Sequence, residues 1–444
     1  MKLYLAILTL LMFSSTAVWA IETGPAENLP GLIEHALASN PELKSSQARW
    51  QMYVGRARQA GSLEDPMFMF KLQNMLAREP LVFNKDPQSA KVISITQQLP
   101  FWGKRAIREE IAGYEAESYR WQIEERKLEL QRMVTETYYQ LYAADKSLEI
   151  VAKNLHIIND FITIAESRYS VGQGVQQDIF KAGLERSKML DMQITLQQQR
   201  SSLSANLNYL LYRPSNTPVG RIADFDLPLI SRSVQQLNDL AYNSRPQVKN
   251  LISLANKGMA GHRLARKEFY PDFNLSLEYM FREASMNDPG FNMFSLGVTF
   301  NLPFQQEKRR AMLAESSSET TMSMEELNGL KNSISYSISD NLSQMERRRK
   351  LVELYKGGII PQAEQSLESA VISYRVGKVD FLTLLDGRVN LFNYERELYE
   401  SKAEYMMKLA QLEAAVGTTL AISLPLQIKT APAPVAADDH IQHH

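Results

Sequence analysis

Cysteine is absent from the 444 residues. That excludes disulfides, thiolate metal sites, a cysteine nucleophile and a lipid anchor on an N-terminal cysteine, so any membrane attachment has to come from the polypeptide itself. An excess of one charge is missing too. The chain carries 49 Lys and Arg against 50 Asp and Glu, with no basic block, which removes the electrostatic basis for binding nucleic acid. Past residue 20 no apolar run is long enough to cross about 30 Å of hydrocarbon as a helix. There is no Gly-rich phosphate loop and no His-Glu-x-x-His. Of the six histidines, His35, His156 and His262 are scattered, and only His440, His443 and His444 approach metal spacing. Those three lie in an Ala/Pro-rich tail after Ala431 that reads as disordered, and they are weak candidates for loose transition-metal binding. The chain reads as a non-enzyme without a cofactor, its energy supplied by a partner.

Proline is also missing from Phe101 to Arg168, where the only glycines are Gly103 and Gly113 near the start. Ile107, Ile111, Tyr114, Trp121, Leu128, Val134, Tyr138, Leu141, Leu148, Val151, Leu155, Ile158 and Ile162 recur mostly at three- and four-residue steps, the period of a helix with an apolar stripe. At about 1.5 Å per residue that helix is roughly 100 Å long. It is expected to stop at Tyr169-Ser170-Val171-Gly172, where Gly172 can take the left-handed conformation. A second apolar-periodic run returns from near Asp178 to Tyr212, completing a very long antiparallel helical hairpin.

The chain then repeats itself at an offset of about 205 residues. Asn40-Pro41 corresponds to Arg245-Pro246, Pro66 to Pro271, Tyr169–Gly172 to Tyr374-Arg375-Val376-Gly377, and Leu207 to Leu412. Leu99-Pro100-Phe101 matches Leu302-Pro303-Phe304 with a slip of two. A second long helix is therefore expected from Gln305 to Tyr374, kinked around Gly357, Gly358 and Pro361, with its partner from Phe381 to Val416. The division implied is a secretory signal peptide over 1–20 (Met1-Lys2, an apolar run, then Val18-Trp19-Ala20), a first repeat over 21–212, a linker over 213–245, a second repeat over 246–417, and a C-terminal segment and tail over 418–444. The linker and the C-terminal segment are expected to form a belt around the middle of the molecule.

Four segments break the helical period. Met67–Met75 is noisy, whereas Val92–Leu99, Asp272–Phe281 and Phe294–Leu302 alternate greasy with polar residues. Within the repeats this places strands at about 66–76, 91–99, 271–282 and 291–302. Strict alternation over about ten residues marks a strand with one apolar face, and the length suits a tilted transmembrane strand. A half-buried strand in a soluble sheet gives the same pattern. Here the flanking helices are mostly polar and cannot cover four greasy faces, and the chain carries an export signal. Four strands cannot close a barrel and an open edge is not tolerated in lipid. Three copies supply about twelve strands, an even number within the range of outer-membrane barrels. The linking loops, Leu76–Lys91 and Arg282–Phe291, are then extracellular.

With this duplication, the two Tyr-x-Val-Gly turns, Asp178-Ile179 after the first and Leu384-Leu385-Asp386 after the second, the chain resembles the TolC-like outer-membrane efflux family from about Leu29 to Leu420. The stretch Leu99–Arg105 is also similar to its heavy-metal efflux branch. The resemblance implies a mainly α fold with a membrane β-barrel: a trimeric channel-tunnel with four transmembrane strands and long antiparallel helical hairpins per protomer. It implies a homotrimer in outer-membrane lipid whose hairpin tips, Val171, Gly172, Val376 and Gly377, dock a periplasmic adaptor protein and an inner-membrane efflux pump. It places Asp178 and Tyr374 at the positions of a hydrogen-bonding pair that holds the periplasmic mouth shut, and Asp386 at that of a luminal carboxylate. Thr383 replaces a second luminal Asp and Val379 an arginine of the family pattern, which weakens the implied latch and acidic ring. Asp178 is equally readable as the cap of the returning helix. The function implied is a passive exit duct of a tripartite efflux system. The alternatives are the same duct serving type I polypeptide secretion, or a structural periplasm-spanning coiled coil, which has no use for four alternating strands.

Overall fold

The computed structural model describes residues 28–420; the signal-peptide segment 1–20 and the tail with His440, His443 and His444 lie outside the described residues. In order the elements are α1 (Leu29–Ser39), α2 (Pro41–Ala60), β1 (Met67–Gln73), β2 (Ala90–Leu99), α3 (Lys104–Ser170), α4 (Gln176–Leu210), α5 (Val234–Ser244), α6 (Pro246–Lys267), β3 (Phe273–Arg282), β4 (Met293–Phe300), α7 (Gln306–Leu354), α8 (Ile360–Arg375) and α9 (Phe381–Val416). A single π-helical turn, Tyr355–Ile359, joins α7 to α8. Pro361 has no N–H to give the carbonyl four residues back. The helix widens there, with Ile360 N–H reaching the Tyr355 carbonyl, and so absorbs the expected kink without breaking.

Helix boundaries follow local chemistry. Pro41 opens α2 while the Asn40 side chain accepts from the N–H groups of Glu42 (2.8 Å) and Leu43 (3.2 Å), a side-chain cap ahead of a proline that needs none. Ser233 and Gln236 form a reciprocal capping box at α5. α3 has 67 residues, about 100 Å at 1.5 Å per residue, and it packs against α4, α2, α6 and α9 in turn. The core is accordingly four patches spread along the helices rather than one centre. One patch gathers Val134, Leu141 and Tyr142 of α3 with Leu207 and Leu211. Another gathers Ile334 and Ile338 of α7 with Leu409 and Leu412 of α9. Such a slab, one or two helices thick, is a wall. The extended segment before α5 crosses it: Asp224 accepts from the Tyr142 hydroxyl (2.6 Å) and from Lys402, while Phe225 packs on Tyr139 and Tyr142.

All four expected strands form, as one antiparallel sheet in the order β1-β2-β3-β4. The four helices joined to the strands, α2, α3, α6 and α7, all meet one end of this sheet, and the loops after β1 and β3 close the other. The register sorts the faces. Phe68, Ile95, Leu277 and Leu296 form one cross-strand row, and Phe70, Ile93, Tyr279 and Phe294 the next. The opposite face carries Thr96, Ser276 and Gly297, then Ser94, Glu278 and Ser295, with Met67 and Met69 at the β1 edge. In a soluble sheet the greasy rows are the buried ones. Here all of them but Ile93 are exposed, and along β3 their polar neighbours are the more sheltered. No helix among the described residues is long and apolar enough to cross a membrane.

A buried lysine fastens helices to sheet. Lys104, 1% exposed, meets Glu268 (3.1 Å) and Asp272 (2.9 Å) and donates to the Tyr270 carbonyl (3.2 Å). Asp272 also accepts the Phe101 N–H (2.7 Å). A buried ammonium persists only with partners of this kind.

Candidate functional site

The two hairpin turns share one geometry. In the first, Gly172 (φ 73°) donates to the Tyr169 carbonyl (3.0 Å) and Gln173 to that of Arg168 (2.8 Å). In the second, Gly377 (φ 74°) donates to Tyr374 (3.0 Å) and Lys378 to Ser373 (2.9 Å). Both are Schellman closures, with the glycine where an L side chain would be strained. Each presents its valine to solvent, Val171 and Val376 alike 65% exposed. Two bare apolar side chains at matching places form a small greasy tip.

Just behind the tips, Ile158, Phe161 and Ala165 of α3 pack with Ala182 of α4, Tyr374 of α8 and Phe381, Leu384 and Leu385 of α9. Arg168 binds the two hairpins together. Its guanidinium lies 4.6 Å from the Tyr374 ring centre and donates both to the Tyr374 carbonyl and to that of Gln173 (3.2 Å). Tyr374 is buried, tilted against Phe381 (5.6 Å), and its hydroxyl makes no hydrogen bond within the protomer. The Asp178–Tyr374 hydrogen bond implied by resemblance is therefore not made within this protomer: the ring is held by the arginine and the phenylalanine. Burial, and less so the charge of Asp178, raises the Tyr374 hydroxyl above its ordinary range. Burial also raises Asp178, helped by Asp380 and opposed by Lys181 and Arg168.

Asp178 does not cap α4, whose N-cap is Val175 without a side-chain bond. The capping carboxylate belongs to the other turn. Asp380 accepts from the Thr383 N–H (2.9 Å) and from its hydroxyl, and these bonds hold its carboxyl below the usual range. Thr383 is thus engaged with its own helix. Asp386, one turn on, is exposed on the face of α9 opposite Leu384, Leu385 and Arg388. Deeper, Arg388 (3% exposed) donates to the Asn154 side chain (2.6 Å) and approaches Glu395 (3.5 Å), which also meets Lys153 (2.7 Å).

Sequence reasoning missed Arg168, Asp380 and Arg388. A basic residue in a last helical turn looks like ordinary dipole compensation, so nothing in the periodicity marks Arg168. Asp380 was legible: it stands three residues before Thr383 at a helix start, a common capping pattern. No group of three or more His, Asp or Glu side chains is placed to hold a metal ion among the described residues.

The family model for outer membrane efflux protein matches residues 32–211 and 237–418. Outer membrane efflux protein BepC of Brucella suis is 24% identical over 302 residues, 66% of this chain and 64% of the relative. Cobalt-zinc-cadmium resistance protein CzcC of Cupriavidus metallidurans is 21% identical over 294 residues, 65% of this chain and 66% of the relative. The chain thus spans just under two thirds of the length of both. Among solved structures, the outer membrane protein VceC of Vibrio cholerae superimposes with a TM-score of 0.74 at 20% identity, over 88% of this chain and 96% of that one.

Proposed function

Since the chain belongs to the outer membrane efflux protein family, we propose that it is the outer-membrane channel of a tripartite efflux system: a passive duct through the outer membrane and periplasm for cargo delivered by an inner-membrane pump and a periplasmic adaptor. The sheet carries this reading. Its greasy face is exposed, the polar face of its inner strand β3 is the more sheltered, and β1 and β4 have open edges. In lipid such edges must be paired, and pairing β4 of each copy with β1 of the next closes a barrel of three protomers. The helices then continue the wall below the membrane, and the valine tips meet the adaptor. The duct performs no chemistry on its cargo. A periplasm-spanning strut has no use for the outward-facing rows.

Detergent-extracted protein is accordingly expected to be a trimer that forms pores in planar bilayers. Light scattering of the solubilised protein together with single-channel recording checks this, and a monodisperse monomer that conducts would overturn it.

At the mouth, Asp386 is assigned to the lumen. Its exposed position on α9, away from the buried stripe, brings three carboxylates near the axis of a trimer. A ring of like charge in a constriction draws multivalent cations strongly. Divalent or trivalent cations added on the periplasmic side should block conductance, and Asp386→Ala should relieve the block by at least about tenfold in blocking concentration, corresponding to roughly 1.4 kcal/mol of binding. An unchanged block in the variant would remove Asp386 from the lumen.

A further inference from the structure

The greasy outer face of the sheet continues past the strand ends. Leu99, Phe273, Leu275 and Val298, all on that face by register, line a cleft of ≈ 660 Å³ whose opposite side is Trp102 and the first turn of α3. The cleft lies over the inner strands β2 and β3 and reaches Val298 of the edge strand β4. Trp102 is 75% exposed, edge-on to Phe101 (5.4 Å) and tilted over Phe273 (5.8 Å). An indole half on a greasy wall and half in water is the arrangement favoured at a bilayer interface.

The charged groups lining the cleft are Arg105, which donates to the Gly61 carbonyl, and Glu109. Of the basic groups beside it, Lys104 is committed to Glu268 and Asp272 and Arg108 to Glu268. Lys267 is different. Its ammonium lies 5.4 Å from the Phe101 ring centre and 3.8 Å from where a Cβ on Gly103 would stand, and it forms no ion pair among the described residues. Gly103, which lines the cleft, is also the N-cap of α3 without a side-chain cap, so the positive end of a long helix lies at the same rim. Apolar wall, interfacial tryptophan and an uncommitted cation together match one chemistry, an acyl chain carrying an anionic headgroup.

We propose that this cleft seats an anionic phospholipid of the periplasm-facing leaflet, with an acyl chain along Leu99, Phe273, Leu275 and Val298 and its phosphate on Lys267. The inference rests on the duct reading, which puts the helix-bearing end of the sheet at that leaflet. Its consequence is that one bound lipid per protomer fixes the depth of the barrel.

The test uses the whole protein in lipid nanodiscs, with brominated phosphatidylglycerol or brominated phosphatidylcholine as quencher. The signal is the tryptophan fluorescence that wild type has and Trp102→Phe lacks. Phosphatidylglycerol should reach half-maximal quenching at a mole fraction about fivefold lower than phosphatidylcholine, the factor for one basic residue at an anionic surface. Lys267→Gln should abolish the difference and Lys267→Arg should keep it. Equal quenching of wild type by the two lipids overturns the site. A second reporter, Leu296→Trp in the Trp102→Phe background, lies on the outward greasy face and separates the two readings. If it is quenched and Trp102 is not, protein of a neighbouring copy fills the cleft, and the lipid site falls while the duct stands. If neither is quenched, the membrane placement of the sheet falls with it.

Discussion

Replacing Leu277 by arginine should abolish assembly of the barrel. Leu277 lies in the cross-strand row Phe68–Ile95–Leu277–Leu296, midway along the sheet and exposed on its greasy face. A guanidinium there meets hydrocarbon at a cost of about 2–4 kcal/mol near mid-membrane. In the proposed trimer three copies raise the penalty to roughly 6–12 kcal/mol, comparable to the whole stability of an ordinary domain. The adjacent change, Ser276→Arg, puts the same charge on the sheltered polar face beside Gly297 and Thr96, where water is available. It should assemble, with altered conductance. The fraction of each variant recovered as folded trimer in outer-membrane preparations measures the difference. Equal losses at the two neighbouring positions would reject the assignment of the faces.

Arg168→Ala should raise the resting conductance more than any change to the Asp178–Tyr374 pair. In the proposed duct the mouth opens by separation of the hairpin tips, and Arg168 ties the two tips of a protomer together. It holds the carbonyls of Tyr374 and Gln173 and covers the Tyr374 ring. A hydrogen bond to a charged group contributes about 1.5–3 kcal/mol, and the stacked cation adds about 0.5–2 kcal/mol. Losing even about 2 kcal/mol shifts the closed-to-open ratio of a single protomer's tips roughly 30-fold. Arg168→Lys should rescue poorly, because an ammonium cannot fork to two carbonyls while lying flat on a ring. Tyr374→Phe removes a hydroxyl that has no partner in the protomer and should change little. Planar-bilayer recordings of the three variants decide the matter. A closed wild-type current left unaltered by Arg168→Ala, or a larger effect from Tyr374→Phe, would move the latch elsewhere.

The periodic features are legible in the residues themselves. A run of more than sixty residues without proline, with apolar side chains every three or four positions, has no other regular conformation open to it. Segments such as 294–300, alternating greasy with polar, show their two faces directly. The turn glycines were visible because only glycine enters the left-handed region without strain, and both take positive φ. Exposure is a different matter. The alternation of Leu275, Leu277, Tyr279 and Phe281 is the same whether those side chains point into a core or out of it, and only the finished sheet, which leaves all four exposed, decides between the two. The partners of Arg168, Lys104 and Arg388 were likewise hidden. Arg168 and Tyr374 are 206 residues apart, Lys104 and Glu268 are 164 apart, and Arg388 and Asn154 are 234 apart. Local pattern carries the elements because helix and strand are periodic in neighbouring residues. A buried charge is settled by whichever distant group the packing brings within reach, and that is a property of the tertiary structure alone.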